Sequence, residues 1–399
     1  MAFKDIIGQE HVKQRLAEMV NHNRLSHALL FAGKEGTGGL PLALAFSQYM
    51  MCEKVYARLN PPGPSLFGDE PDIEEHMIQD ACGECNACRK SSAHVHPDIH
   101  YSYPVIPKKP GDKPVSTDFI NEWREFIHEL PYGNVFDWLQ FIGAENKQGN
   151  ITASECNDII HKLSLKSFES EYKILILWMP EYLGNEGNKL LKLIEEPPPN
   201  TLFILVAENE NQVLPTILSR TQLVRIALLS SAEIEEQLAL KSGVPAAQAR
   251  QIATIANGNY REALQLLQHA GEDWQGIIRD WLNAIMKSGP VAQVKWVEEM
   301  SKHGRERQKQ FLRYFNHLLG QAIKMQVMEG VSLPMPDNEK DFATRLNKMA
   351  GIEQQQAIIS ELDKAAYYIE RNANAKMLFH ALTIRLYHII ADKSLILTT

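Results

Sequence analysis

Ala28 to Ala32 (ALLFA) is a short, wholly apolar run that leads straight into Gly33-Lys34-Glu35-Gly36-Thr37-Gly38-Gly39 and then into the helical stretch LALAFSQYMM. This strand, glycine loop and helix constrain the fold more than any other feature. An apolar run without polar alternation reads as a strand buried on both faces, and such strands belong to parallel sheets covered by helices. Two further runs repeat the pattern: Lys173 to Trp178 (KILILW) and Leu202 to Ala207 (LFILVA). Gln9 to Val20 has the spacing of an amphipathic helix, and 119–131 (FINEWREFIHELP) looks helical with Trp123 and Phe126 on one face. After Ile226 the pattern is helical throughout. The expected fold class is therefore an α/β domain with a parallel sheet flanked by helices, followed by helical domains. At about 150 residues per domain the chain has room for two to three.

A glycine loop of the Gly33-x4-Gly38 type cradles phosphate with its N–H groups. It also needs a lysine for the β- and γ-phosphates and a Ser or Thr hydroxyl for magnesium. Here the lysine position holds Gly39 and the hydroxyl position Leu40, and Pro41 removes a further N–H. Lys34 comes too early to replace the missing ammonium. The second strand repeats the loss. A nucleotide hydrolase ends it in an acidic pair that holds magnesium and polarises water, whereas this chain has Trp178-Met179-Pro180-Glu181. The loop shape is present without its chemistry, and no hydrolysis is expected.

Five cysteines in a long chain argue against a disulfide framework. Cys82, Cys85 and Cys88 form a tight triplet with Cys52 upstream, enough thiolates for a closed tetrahedral metal site; His94, His96 or His100 would be the fourth ligand if Cys52 were not recruited. Cys156 stands alone in a predicted helix and reads as a core thiol. Residues 55–80 and 101–150 read as insertions, the first a loop. His96-Pro97-Asp98 reads as a turn, and the basic stretch 302–309 as a solvated helix face.

Lys plus Arg total 41 against 49 for Asp plus Glu, a net charge of −8. A free-standing DNA binder usually carries a basic excess, so any nucleic-acid role is local or shared with partner chains. Hydrophobic residues make up 44% and charged residues 23%, which excludes a mostly disordered chain. No apolar run reaches membrane-spanning length, and MAFKDIIGQEHVKQRL lacks the apolar core of a signal peptide. A cytoplasmic protein with no membrane association is expected.

The segments IIGQEHVKQRL, LSHALLFAG, the cysteine cluster, HPDIH, NKLLKLIEEPPPNTLFIL and LPTILSRTQ occur in an order that resembles the delta-prime branch of the bacterial DNA polymerase III clamp-loader family, which are AAA+ proteins. The resemblance is close over about 1–230. It is weaker to the C-terminus, where GNYREALQLL looks like a sensor-2 helix and IERNANAKMLFHALTIRL resembles a collar. It implies an AAA+ domain over 1–228 with a zinc insertion at about 52–100 and a second insertion at about 101–150, a helical lid over 229–271, and a helical collar for oligomerisation over 272–399. It implies a structural zinc ion on Cys52, Cys82, Cys85 and Cys88, and no productive ATP binding. Ser219-Arg220 resembles the family's Ser-Arg-Cys motif, with Thr221 in the cysteine's place, and implies an arginine finger for a neighbouring ATPase site. Arg261 matches the sensor-2 arginine; with no nucleotide beside it, a structural ion pair is expected. The implied partners are the gamma/tau ATPase and delta subunits, the sliding clamp, and primer–template DNA reached through the assembled complex. Two other classes remain open on the residues alone: an active P-loop ATPase, and a zinc-dependent nucleic-acid-binding module.

Overall fold

The computed structural model of the protein describes residues 1–59, 79–109, 111–144, 147–268, 273–328, 335, 337–370 and 373–393. The chain forms two compact units, Met1–Leu264 and Gln265–Thr399.

In the first unit, α1 (Glu10–Asn21) buries Val12, Leu16, Ala17 and Val20, one face at helical spacing. It is followed by β1 (Ala28–Ala32) and by α2 (Gly39–Met51), which is buried along almost its whole length. Next come α3 (Glu53–Leu59), α4 (Asn86–Ser92) and β2 (Ile99–Ser102). The stretch read as a loop from residue 55 is thus helical up to Leu59; its 60–78 part lies outside the described residues. The second insertion contributes α5 (Ile120–Glu129) and α6 (Val135–Phe141). Then follow α7 (Ala153–Ser164), β3 (Lys173–Trp178), α8 (Leu191–Glu195), β4 (Thr201–Ala207), α9 (Pro215–Leu218) and β5 (Gln222–Arg225). After these the chain is helical, with α10 (Ser231–Ser242), α11 (Ala246–Ala256) and α12 (Tyr260–Gln268).

The five strands form one parallel sheet in the order β2-β3-β4-β1-β5. Its three central strands are the three apolar runs of the sequence. Ala28, Leu30, Leu175, Leu177, Phe203 and Leu205 pack on one face with α7 residues Cys156, Ile159 and Leu163. Leu29, Phe31, Ile174, Ile176, Ile204 and Val206 pack on the other with α1 and α2. The two edge strands, Ile-His-Tyr-Ser and Gln-Leu-Val-Arg, carry polar residues and no apolar run. That composition suits an edge with one neighbour, and it hides such strands from hydrophobic patterning.

The second insertion has its own core. Trp123, Phe126 and Trp138 are wholly buried, and Trp123 stacks on Tyr103 with ring centroids 4.0 Å apart. Trp178, at the end of β3, joins them 5.2 Å from Trp123.

The second unit is all-helical: α13 (Trp274–Asn283), α14 (Gly289–Ser301), α15 (Arg305–Val327), α16 (Asp337–Met349), α17 (Ile352–Glu370) and α18 (Ala375–Ala391). Trp281 and Trp296 stack 4.5 Å apart at its centre, ringed by Phe311, Phe315 and Phe379. The basic stretch 302–309 is less solvated than its charge suggests: Gln308 and Lys309 are buried, and the Arg307 guanidinium lies over the Trp274 ring. No helix among the described residues is long and apolar enough to cross a membrane.

Trp123 touches four aromatic rings at zero exposure. Trp123→Ala should cost about 3–5 kcal/mol of stability, the range for deleting a large buried ring. Chemical denaturation followed by the fluorescence of the remaining tryptophans measures this, and a loss under 1 kcal/mol, well below that range, would contradict the packing.

Candidate functional site

The glycine loop lies where the sequence puts it, between β1 and α2, at the end of the central strands. Gly36 and Gly38 take positive φ angles of 71° and 96°, which glycine adopts without strain. Thr37 folds back on the loop, its N–H and hydroxyl both donating to the Lys34 carbonyl. Leu40 is buried, and a side chain on Gly39 would start 3.1 Å from Val206.

Gly33, Lys34, Gly36 and residues 38–41 face Pro131, Tyr132 and Gly133 from the second insertion, with Trp178, Val206, Ala207 and Glu208 from the sheet and its following turn. The space between them is about 30 Å³, enough for a water or two and far below the roughly 300 Å³ of a small-molecule site. Tyr132 closes it. Its ring lies 3.1 Å from where a side chain on Gly38 would begin, and its hydroxyl accepts the Ile7 N–H at 3.0 Å.

At the end of β3, Trp178 is packed into the insertion's aromatic core. Met179 turns the chain with φ 62°. Glu181, the nearest acid, uses one carboxylate oxygen to accept the N–H groups of Glu208 and Asn209 at 2.7 and 2.8 Å. Burial holds its pKa above the usual carboxylate range. Through that oxygen it secures a turn, while its Oε2 is buried without a hydrogen-bond partner among the described residues.

Arg261 is 4% exposed and fully engaged. Its guanidinium binds Asp137 through Nε and through Nη2, the latter at 2.6 Å, and donates Nη1 to Glu35 at 2.7 Å. Arg220 lies elsewhere, just after α9 on the β4–β5 connection. It is about one-third exposed and is held by Glu195 at the end of α8, with Nε–Oε1 at 2.6 Å and Nη1 donating to the Thr216 carbonyl at 2.8 Å. Ser219 donates to the same carbonyl. An ion pair this exposed is worth little.

The four cysteines of the spacing argument converge. The Sγ atoms of Cys52, Cys82, Cys85 and Cys88 all lie within 4.8 Å of one another. Cys52 caps the end of α2, Cys85 caps the start of α4, and Cys82 lies in the loop before it. Backbone N–H groups of Cys82, Cys85 and Cys88 each point at a sulfur, at 3.4 Å. Cys82 and Cys88 sulfurs are 3.9 Å apart, close to the edge of about 3.8 Å of a sulfur tetrahedron drawn about 2.3 Å around a metal. The donor set and its spacing fit a metal ion. Without one the group cannot ionise fully: the Cys88 thiol hydrogen-bonds to Cys52 and holds it down to about 4, while Cys88 itself and the partly buried Cys85 are pushed up.

The histidines left open by spacing are not in the group. His94 is buried edge-on to Tyr101, and burial pushes it down to about 4. His96 is tied to the Asp98 N–H and the Ser170 hydroxyl. His100 lies in β2, and burial pushes it down to about 4. Asp98 accepts three successive N–H groups, from Phe168, Glu169 and Ser170, so His96-Pro97-Asp98 anchors a loop. Cys156 is a core thiol, pushed up to about 11 by burial.

The chain is similar in sequence to several known proteins. The chain is 27% identical over 259 residues to DNA polymerase III subunit delta' of Bacillus subtilis, covering 65% of this chain and 59% of that one. It is 26% identical over 302 residues to subunit tau of the same organism, covering 73% of this chain and 41% of that one. The chain thus spans about half the length of these relatives. A gamma subunit-related protein of Thermotoga maritima aligns over 94% of this chain and 98% of its own at 13% identity, with a TM-score of 0.36, too low to bear on the assignment. The family described as "DNA polymerase III, delta subunit" matches residues 8–61 and 66–230, more than half of the chain. On that match the chain belongs to the DNA polymerase III delta-subunit family, and with it to the clamp-loader proteins of that polymerase.

Proposed function

We propose that the chain is a non-hydrolysing clamp-loader subunit that assembles with gamma/tau-type ATPase and delta subunits and helps load the sliding clamp onto primed DNA. One observation carries the reading: the nucleotide cleft is reduced to about 30 Å³, with Gly39 and Leu40 in place of the phosphate and magnesium ligands and Trp178 and Met179 in place of the carboxylates. Similarity to both delta' and tau relatives leaves the hydrolysing class open on identity alone, and the filled cleft favours delta'. Arg220 is the residue offered to a neighbour. A guanidinium neutralises charge on a transferred phosphoryl and bonds its oxygens in pairs, and an incoming γ-phosphate would take it over from Glu195. Cys52, Cys82, Cys85 and Cys88 hold a structural zinc ion that fastens the end of α2 to α4. The primer–template DNA is met through the assembled ring, in keeping with the net charge of −8.

The isolated chain should neither hydrolyse magnesium-ATP nor gain thermal stability from it. Gly39→Lys with Leu40→Thr should not create turnover, because the new side chain starts crowded against Val206 and Trp178 and Met179 still lack carboxylates. Hydrolysis above a contaminant control, abolished by changes in the glycine loop, would overturn the reading.

Metal analysis of protein prepared without chelator should find one zinc per chain, lost in Cys85→Ser together with local order around α4, since metal binding and folding are coupled at such sites. A metal-free chain with the same stability would contradict the zinc assignment.

Arg220→Ala should leave the fold and ring assembly intact, because a partly exposed side chain at the surface adds little to its own core. In rings reconstituted with ATPase subunits it should lower DNA-stimulated hydrolysis partially and clamp loading more strongly. Fingers supplied in trans are worth roughly 10³–10⁵ in rate, but only one site of several loses its finger. Arg220→Lys should not rescue loading, for want of a planar fork. Wild-type loading by an assembled Ala ring would reduce Arg220 to a surface residue.

A further inference from the structure

The second insertion does more than fill space beside the sheet. Pro131 to Asp137 reaches three separate parts of the first unit. Tyr132 accepts the Ile7 N–H from the N-terminal segment, lies against Gly38 of the glycine loop, and meets Tyr260 of α12 edge-on with ring centroids 5.0 Å apart. Asp137 is fixed by a capping box at the start of α6, accepting the Asn134 N–H while Asn134 accepts the Asp137 N–H. From there its two carboxylate oxygens grip the Arg261 guanidinium in the paired geometry that arginine also uses for phosphate. Glu35 of the glycine loop takes the third guanidinium nitrogen. The Tyr260 N–H donates to the Gly36 carbonyl at the same seam.

A guanidinium at 4% exposure must be matched by negative charge. In a phosphate-binding cleft that charge would come from a bound nucleotide; here it comes from the chain itself. We propose that Pro131–Asp137 is a built-in substitute for nucleotide. Tyr132 occupies the cleft, and Asp137 supplies the anion that latches the helical segment α10–α12 to the glycine loop. The latch is permanently closed and indifferent to ATP. This rests on the non-hydrolysing reading above and adds to it a cause: the segment cannot open and close with a nucleotide cycle.

Hydrogen exchange on the full-length chain tests the latch. Asp137→Asn keeps an acceptor for the helix cap and removes the charge; Arg261→Gln removes the other half. Each should speed exchange in peptides from α10 and α11 by about tenfold or more, the loss expected of a charge-assisted hydrogen bond, with β1, β3 and β4 unchanged. The double variant should be no faster than the faster single, because both remove the same bond. Millimolar magnesium-ATP should leave wild-type exchange in α10 and α11 unaltered. Wild-type rates in either single variant, additive effects in the double, equal acceleration in the sheet, or protection of α10 and α11 by ATP would each overturn the proposal. Turnover is assayed separately, so hydrolysis would defeat the non-hydrolysing reading while exchange alone decides the latch.

Discussion

A parallel sheet covered by helices has no face left to water, and the rest of the first unit follows from that constraint. Apart from Lys173 and Thr201 at the strand starts, the residues of β1, β3 and β4 are apolar whichever way they point, and Leu30 opposite Leu205 or Ile176 opposite Ile204 shows neighbouring strands meeting this demand in register. With backbone pairing satisfied inside the sheet and both faces sealed, the strand ends are where side chains and loops are free to vary. The glycine loop, Met179, Glu208 and the β4–β5 connection with Arg220 all lie at strand ends or in the loops that leave them. Such loops vary in chemistry without cost to the core.

Packing dominates the end of β3. Trp178 stands where an acid would face magnesium, and it is drawn into a cluster with Tyr103, Trp123, Phe126 and Trp138. Burying rings of that size against one another favours the filled state far more than an empty cleft would. The same insertion brings Tyr132 over the loop and Asp137 to Arg261. The aromatic core of the insertion and the glycine loop thus meet at one end of the sheet.

Electrostatics at the cysteines follow a different logic. Four sulfurs within 4.8 Å cannot all carry charge without a cation, and hydrogen bonding lets Cys52 ionise at the expense of Cys88. The N–H groups aimed at the sulfurs come from the turn leading into α4, so the backbone there is already arranged around negative sulfur. The arrangement lies at the far end of α2 from the glycine loop.

The three central strands, α1, α2, α5 and the thiol quartet were legible in the residues alone, because each rests on local pattern: unbroken apolar runs, helical spacing, or ligands a few residues apart. The absence of Lys and Ser/Thr at Gly39 and Leu40 was equally plain, since a missing group needs no geometry to be missed. β2 and β5 were not legible, because His100, Gln222 and Arg225 break the apolar signal and an edge strand is defined by its neighbour. Nor were the partners of Arg261, or Glu195 beside Arg220. Asp137 is 124 residues from Arg261 and Glu35 is 226 residues away; nothing in their surroundings marks them as one cluster. Local chemistry is written in short spacings, whereas which charges share a buried site is decided only when the chain folds distant segments together, and that belongs to the tertiary structure.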